Sequence, residues 1–219
     1  MKLARLHKNA SKEHYWHVQL AVIAAICLQV FLNQSLTIGP KYIIASFECL
    51  LILALLLFSS SGKSKLVRFR RSLAALVLGL ISIANVASLV LVIKDLIGNG
   101  AVTGNELIIS AIAIYITNII VFGIWYWELD VDQSLALPAS REVDFMFPQM
   151  SQVGANNVPA DWSPTFFDYL YVSMTNASAF SPTDTMPLTH KAKLLMGLQS
   201  MVSLITIALV AARAVNILR

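Results

Sequence analysis

The sequence predicts an all-α membrane protein with about five spanning helices and one short half-helix before the last of them. Three observations carry this. The chain has 219 residues, of which 57% are apolar and 13% charged, with a mean hydropathy of +0.70. A soluble chain of this length carries roughly a quarter charged residues. The charges that exist sit between long apolar runs. Five runs, near 16–36, 42–60, 72–96, 105–127 and 190–217, are of the length that crosses a bilayer, about 20 residues.

The elements follow in order. Lys2, Arg5, Lys8 and Lys12 precede the first run, which begins at Tyr15-Trp16. No small-x-small cleavage site follows and the run continues to near Leu36, so a signal peptide is not expected. Bulky Ile26 just before Cys27 argues against a lipoprotein site. Asn33 to Lys41 is a tight connection containing Gly39-Pro40. Ser59 to Arg71 is a short basic loop, whose Arg68, Arg70 and Arg71 are candidates for binding anionic lipid headgroups. They do not recur every third residue along an apolar helix, which excludes a voltage sensor. Ile97 to Asn105 holds three glycines and reads as a turn. The fourth run ends at Trp125-Tyr126-Trp127, rings that favour the headgroup layer. Cys27 and Cys49 lie inside apolar runs and read as small buried residues, with a bridge between two helices as the alternative.

Three regions result: a four-helix transmembrane part (1–127), an acidic polar connection (128–162) and a terminal module (163–219). The connection carries Asp130, Asp132, Glu142 and Asp144, and reads as surface loop. Ser163-Pro164 then opens a new helix. Serine accepts hydrogen bonds from free N–H groups at an N-cap, and proline suits the first helical position. Phe166, Phe167, Tyr169, Leu170 and Val172 continue the helix to about Ala177. It is too short to cross a membrane, so it is either re-entrant or an amphipathic helix on the interface.

Tyr171, Ser173, Asp184 and Pro187 carry a resemblance. Their spacing is similar to the pore loop of tetrameric potassium channels, in which a Y-x-S helix precedes T-V-G-Y-G-D and x-x-P. In the filter's place stand Ala179, Phe180, Ser181, Pro182 and Thr183. Glycines permit filter torsions that other residues adopt only at a cost, and Pro182 restricts its neighbour. The resemblance therefore implies a pore scaffold without potassium selectivity. Under it, Ser178, Ser181 and Thr183 line a wet vestibule and Asp184 attracts cations at its mouth. The competing reading makes Ser-Pro-Thr-Asp a capping turn before the last span, which uses the same residue types. A second resemblance rests on Asp144-Phe145-Met146-Phe147-Pro148, Phe167-Asp168-Tyr169-Leu170-Tyr171 and Thr183-Asp184 before a long helix. It is to a family of uncharacterised bacterial membrane proteins that look like degenerate pore-loop channels. It implies no established activity; the expected location is the plasma (inner) membrane, as a multi-pass protein.

Orientation runs against the channel pattern. The N-terminal tail carries four Lys and Arg, and the loop after the second run carries five, so both are expected on the cytoplasmic side. Two further crossings place the acidic connection and the pore-like loop inside, as Lys191 and Lys193 also suggest. The loop is then inverted, as in the glutamate-receptor branch, or is not a pore, or one run does not cross.

Polar residues within the runs are few. Glu48 lies about seven residues into the second run, where a central carboxyl costs roughly 2.5–3.5 kcal/mol on insertion scales. It reads either as a proton or cation site or as a protonated group bonded to a neighbouring helix. Asn85, Asn118 and Gln199 are expected to bond between helices, and Arg213 to snorkel. Ala208, Ala211, Ala212 and Ala214 would let helices approach closely, in an oligomer or within one chain. His14 and His17 share a helix face but lack an acid cluster, so no metal is expected. No enzyme motif, cofactor loop or nucleic-acid surface is present in the sequence. The expected function is a channel-like protein, a homo-oligomer in the bilayer (a tetramer under the channel reading), passing cations with weak selectivity. The alternatives are a non-conducting accessory or scaffold subunit bound to another membrane protein, and a small transporter using Glu48.

Overall fold

A computed structural model of the chain describes residues 2–32, 34–37, 46, 64–98, 102–134, 143–152, 159, 162–181 and 184–217. The described chain is mostly helical. Its helices are α1 (Lys2–Phe31), α2 (Ser64–Ile97), α3 (Gly104–Ser134), α4 (Phe166–Ala179) and α5 (His190–Ile217). Two short strands, β1 (Phe145–Met146) and β2 (Met186–Pro187), pair antiparallel with Phe145 opposite Pro187 and Met146 opposite Met186. Among the described residues, three helices are long and apolar enough to cross a membrane: Ser72–Ile97, Gly104–Asp130 and His190–Arg213. By length and composition, these make the chain a membrane-spanning protein.

Several boundaries differ from the sequence expectation. The apolar part of α1, His17–Phe31, is shorter than a span, because the helix stops before a 3-10 turn at Gln34–Leu36. The second expected run, 42–60, lies outside the described residues except for Ser46. Residues 64–71, read as loop, form the start of α2; Lys, Leu and Arg there are good helix formers. α3 does not end at the aromatic triple but continues through the acidic residues to Ser134.

The chain divides into two compact units. Met1–Val18 and Phe122–Leu204 form the first, Gln19–Val121 and Ile205–Arg219 the second. The second is an ordinary membrane-type helix packing. Val22, Ala25 and Ile26 of α1 are buried, as are Leu78, Ile81 and Leu89 of α2 and Ile114 of α3. Polar side chains tie helix to helix. Gln29 Nε2 donates to the Ile81 carbonyl at 3.4 Å, and Asn85 Nδ2 to the Ile114 carbonyl at 3.2 Å. Such bonds are favoured where no water competes. Asn118 is buried as well. Before α3, the Thr103 N–H and hydroxyl both donate to Glu106 Oε2, at 3.0 and 2.8 Å, satisfying a terminal backbone donor.

The first unit is more polar and more aromatic. Gly123 makes one of its contacts possible. A Cβ there would meet Leu170 Cα at 3.1 Å, so the absent side chain lets the α4 backbone lie against α3. Tyr126, Phe145, Phe147, Trp162 and Tyr169 form a chain of ring contacts with centroids 5.1–6.2 Å apart.

Candidate functional site

The half-helix α4 organises the site. Its start is set two residues later than Ser163 suggests. Thr165 is the N-cap, and its N–H and hydroxyl both donate to Asp168 Oδ2, at 2.6 and 2.7 Å. Asp168 sits at the third helical position, where a carboxylate can reach back to the cap; no such partner stands three residues after Ser163. The helix ends at Ala179, and Phe180 closes it in the left-handed conformation with φ 54°. Fourteen residues make about 21 Å of helix, short of the roughly 30 Å hydrocarbon core.

One stripe of α4 is buried: Phe166, Tyr169, Ser173 and Asn176, spaced three and four apart. Its polar members meet a glutamine. Gln199 Nε2 donates to the Ser173 carbonyl at 2.9 Å and to Ser173 Oγ at 2.6 Å. Gln199 Oε1 accepts from Tyr126 OH at 2.5 Å and from Asn176 Nδ2 at 2.9 Å. Asn176 Nδ2 also donates to the Met196 carbonyl at 3.0 Å, while its Oδ1 accepts from Ser200 Oγ at 3.2 Å. Gln199, Ser173 and Tyr126 are fully buried. The network joins α3, α4 and α5 within one unit, and each member fixes another's orientation.

A second buried group anchors the connection and the loop exit. Asp130 Oδ1 accepts the Asp144 backbone N–H at 3.0 Å, and Asp130 Oδ2 accepts the Tyr169 hydroxyl. Asp144 Oδ1 accepts the Thr189 hydroxyl, and its carbonyl accepts the Leu188 N–H at 2.9 Å. Thr189 Oγ in turn accepts the Ala192 N–H at 3.3 Å, capping α5. Asp130 and Asp144 are therefore interior residues, 5% and 0% exposed, and not part of an acidic surface loop. Charged groups enter an interior only with partners, and both have them. Tyr126 and Trp127 are likewise buried in protein, not rings of an interfacial belt.

The loop candidates fall on both sides of the helix end. Ser178 and Ala179 are the last helical residues and are exposed; Ser178 Oγ donates to the Met174 carbonyl at 2.9 Å. Phe180, Ser181 and Asp184 are exposed in the loop, and Pro182 and Thr183 lie outside the described residues. Pro187 pairs in β2, so the loop's exit is tied to β1. The other face of α4 presents Phe167, Tyr171 and Met174, each about half exposed. Glu48 lies outside the described residues. Arg68, Arg70 and Arg71 lie on the backbone of α2 near its start. Among the described residues no three His, Cys, Asp or Glu side chains stand together as a metal site.

Sequence reasoning expected Gln199 to bond between helices, which it does. It missed Tyr126, Asp130, Asp144 and Asn176. Tyr126 and Asp130 are four apart, a signal that one helix face continues beyond the apolar run. Comparison with protein-family models, curated proteins and solved structures finds no match to this chain.

Proposed function

We propose that this protein is a channel-like component of the membrane, an oligomer in which copies of the α4–α5 module surround a path for small cations of weak selectivity. The observation that carries the reading is a half-helix too short to span, fixed to α3 and α5 by the Gln199 network and followed by an exposed loop. Non-helical backbone is tolerated at membrane depth only where it faces protein or a water-filled cavity. A loop with Phe180, Ser181 and Asp184 exposed in one chain meets that condition when other copies enclose it. Asp184 then sets the charge of the mouth, and Ser178 and Ser181 offer hydroxyls to a wet path. The resemblance to pore-loop channels implies four copies.

The test is cation flux into vesicles holding the purified full-length protein. Sodium and potassium should both enter above the level of empty vesicles, and Asp184→Asn should reduce entry several-fold. Flux unchanged in Asp184→Asn but abolished in Glu48→Gln would move the function to a transporter. A silent wild-type protein would refute conduction.

One observation favours a second reading, a non-conducting subunit that uses the same module to pack against a partner. The left-handed residue at the end of α4 is Phe180 and not a glycine, and it serves as the C-cap of the helix, an ordinary packing role.

A further inference from the structure

A single cation stands in an apolar cleft of the second unit. Val92 and Leu96 from α2, Leu107 and Ala111 from α3, and Leu209 from α5 line the cleft together with Arg213. Arg213 brings a guanidinium, a planar fork of N–H donors, to this apolar lining. Its Nε is buried and has no hydrogen-bond partner among the described residues. Two carboxylates adjoin the lining in the chain: Asp95 precedes Leu96 and Glu106 precedes Leu107. Glu106 is engaged by the Thr103 N–H and hydroxyl.

This differs from an arginine that simply reaches water. A snorkelling side chain lays its stem on apolar surface and hydrates the whole head. Here the inner nitrogen is enclosed and only the outer part of the half-buried residue remains accessible. The cleft itself is small, about 10 Å³, which is room for one water at most. A water can accept one hydrogen bond but cannot neutralise the charge. A guanidinium's fork matches the oxygens of a phosphate, and arginine is favoured wherever such planar, paired recognition occurs. The position, at the end of a spanning helix, is where phosphate groups of a bilayer lie.

We propose that Arg213 holds a phosphate group at the mouth of this cleft, either an anionic phospholipid headgroup or a free phosphate ion. The inference does not depend on conduction and stands whether or not the loop forms a path.

Native mass spectrometry of the full-length protein tests it, after release from nanodiscs containing phosphatidylglycerol and phosphatidylcholine. Wild-type protein should retain phosphatidylglycerol over phosphatidylcholine, and Arg213→Gln should weaken that retention about tenfold or more. Arg213→Lys keeps the charge and stem but not the fork, and should lie between them. It also serves if Arg213→Gln does not fold. Adding inorganic phosphate separates the sources. Retention that survives millimolar phosphate identifies the lipid, whereas loss of lipid with phosphate adducts in its place identifies the free ion. Equal retention by wild type, Arg213→Gln and Arg213→Lys would overturn the proposal. So would an equal loss in Lys94→Gln, an exposed lysine near the same end of α2, since that would reflect general charge attraction.

Discussion

Gln199 ties α3, α4 and α5 together within the first unit. Its amide makes four hydrogen bonds, to Tyr126, Asn176 and twice to Ser173. Replacing it with leucine conserves bulk and leaves those partners to find water that a buried site does not supply. Gln199→Leu should therefore destabilise the protein by about 1–3 kcal/mol, since a buried group left unpaired costs its full desolvation. Unfolding in detergent, followed by denaturant titration, measures this. The unfolded chain in a membrane also finds partners, which keeps the value at the lower end. A loss below about 0.5 kcal/mol would mean that the network is not closed as described.

Residue scale is also where the sequence was least transparent. Gln199 stood out because a glutamine inside an apolar run must be paired. Tyr126 did not, because a tyrosine between two tryptophans at the end of an apolar run matches an interfacial belt equally well. Its burial and its hydrogen bond to Gln199 distinguish the two cases. Asp144 was hidden by distance along the chain. Its partner Thr189 lies 45 residues later, and no local pattern links them.

Among elements, the half-helix was legible in kind and blurred at its edges. A run of Phe, Tyr, Leu and Val too short to span could be read directly, as could its place before the last long helix. Its cap could not be settled by residue type alone, since Ser163 and Thr165 both qualify. Asp168 decided the matter by completing a reciprocal pair with Thr165. The strands β1 and β2 were not legible at all. Two residues each are below any periodicity signal, and they exist because Asp144 and Thr189 hold the segments side by side.

The far end of α4 makes its own prediction. A left-handed residue at a helix C-terminus is usually glycine, because a Cβ in that conformation crowds the following carbonyl at about 1–2 kcal/mol. Phe180 pays that cost while 43% exposed, so its ring recovers little by burial. Phe180→Gly should raise stability by about 1 kcal/mol, read as a higher melting temperature in the same detergent. A lower melting temperature would show that the ring is held by contacts worth more than the strain. If the loop lines a path, the substitution also widens it, and flux should rise together with stability.

At the scale of the whole molecule, the membrane character was the firmest sequence conclusion, and it rests on three long apolar helices. The number of crossings is a different matter. α1 contributes an apolar stretch shorter than a span, and the run at 42–60 lies outside the described residues. Units that bury little of α5 fit a protein finished by its own copies: Leu194, Leu198, Met201 and Leu204 are each about half exposed or more. Lipid can cover such side chains; under the proposed function, other copies enclose the loop that follows α4.

The central claim is therefore that several copies enclose that loop, and the count of copies tests it most directly. Native mass spectrometry of the full-length protein in nanodiscs should show a closed homo-oligomer, with four copies as the expected number. A monomer, or one copy joined to an unrelated membrane protein, would contradict the account and leave the α4–α5 module as a packing device.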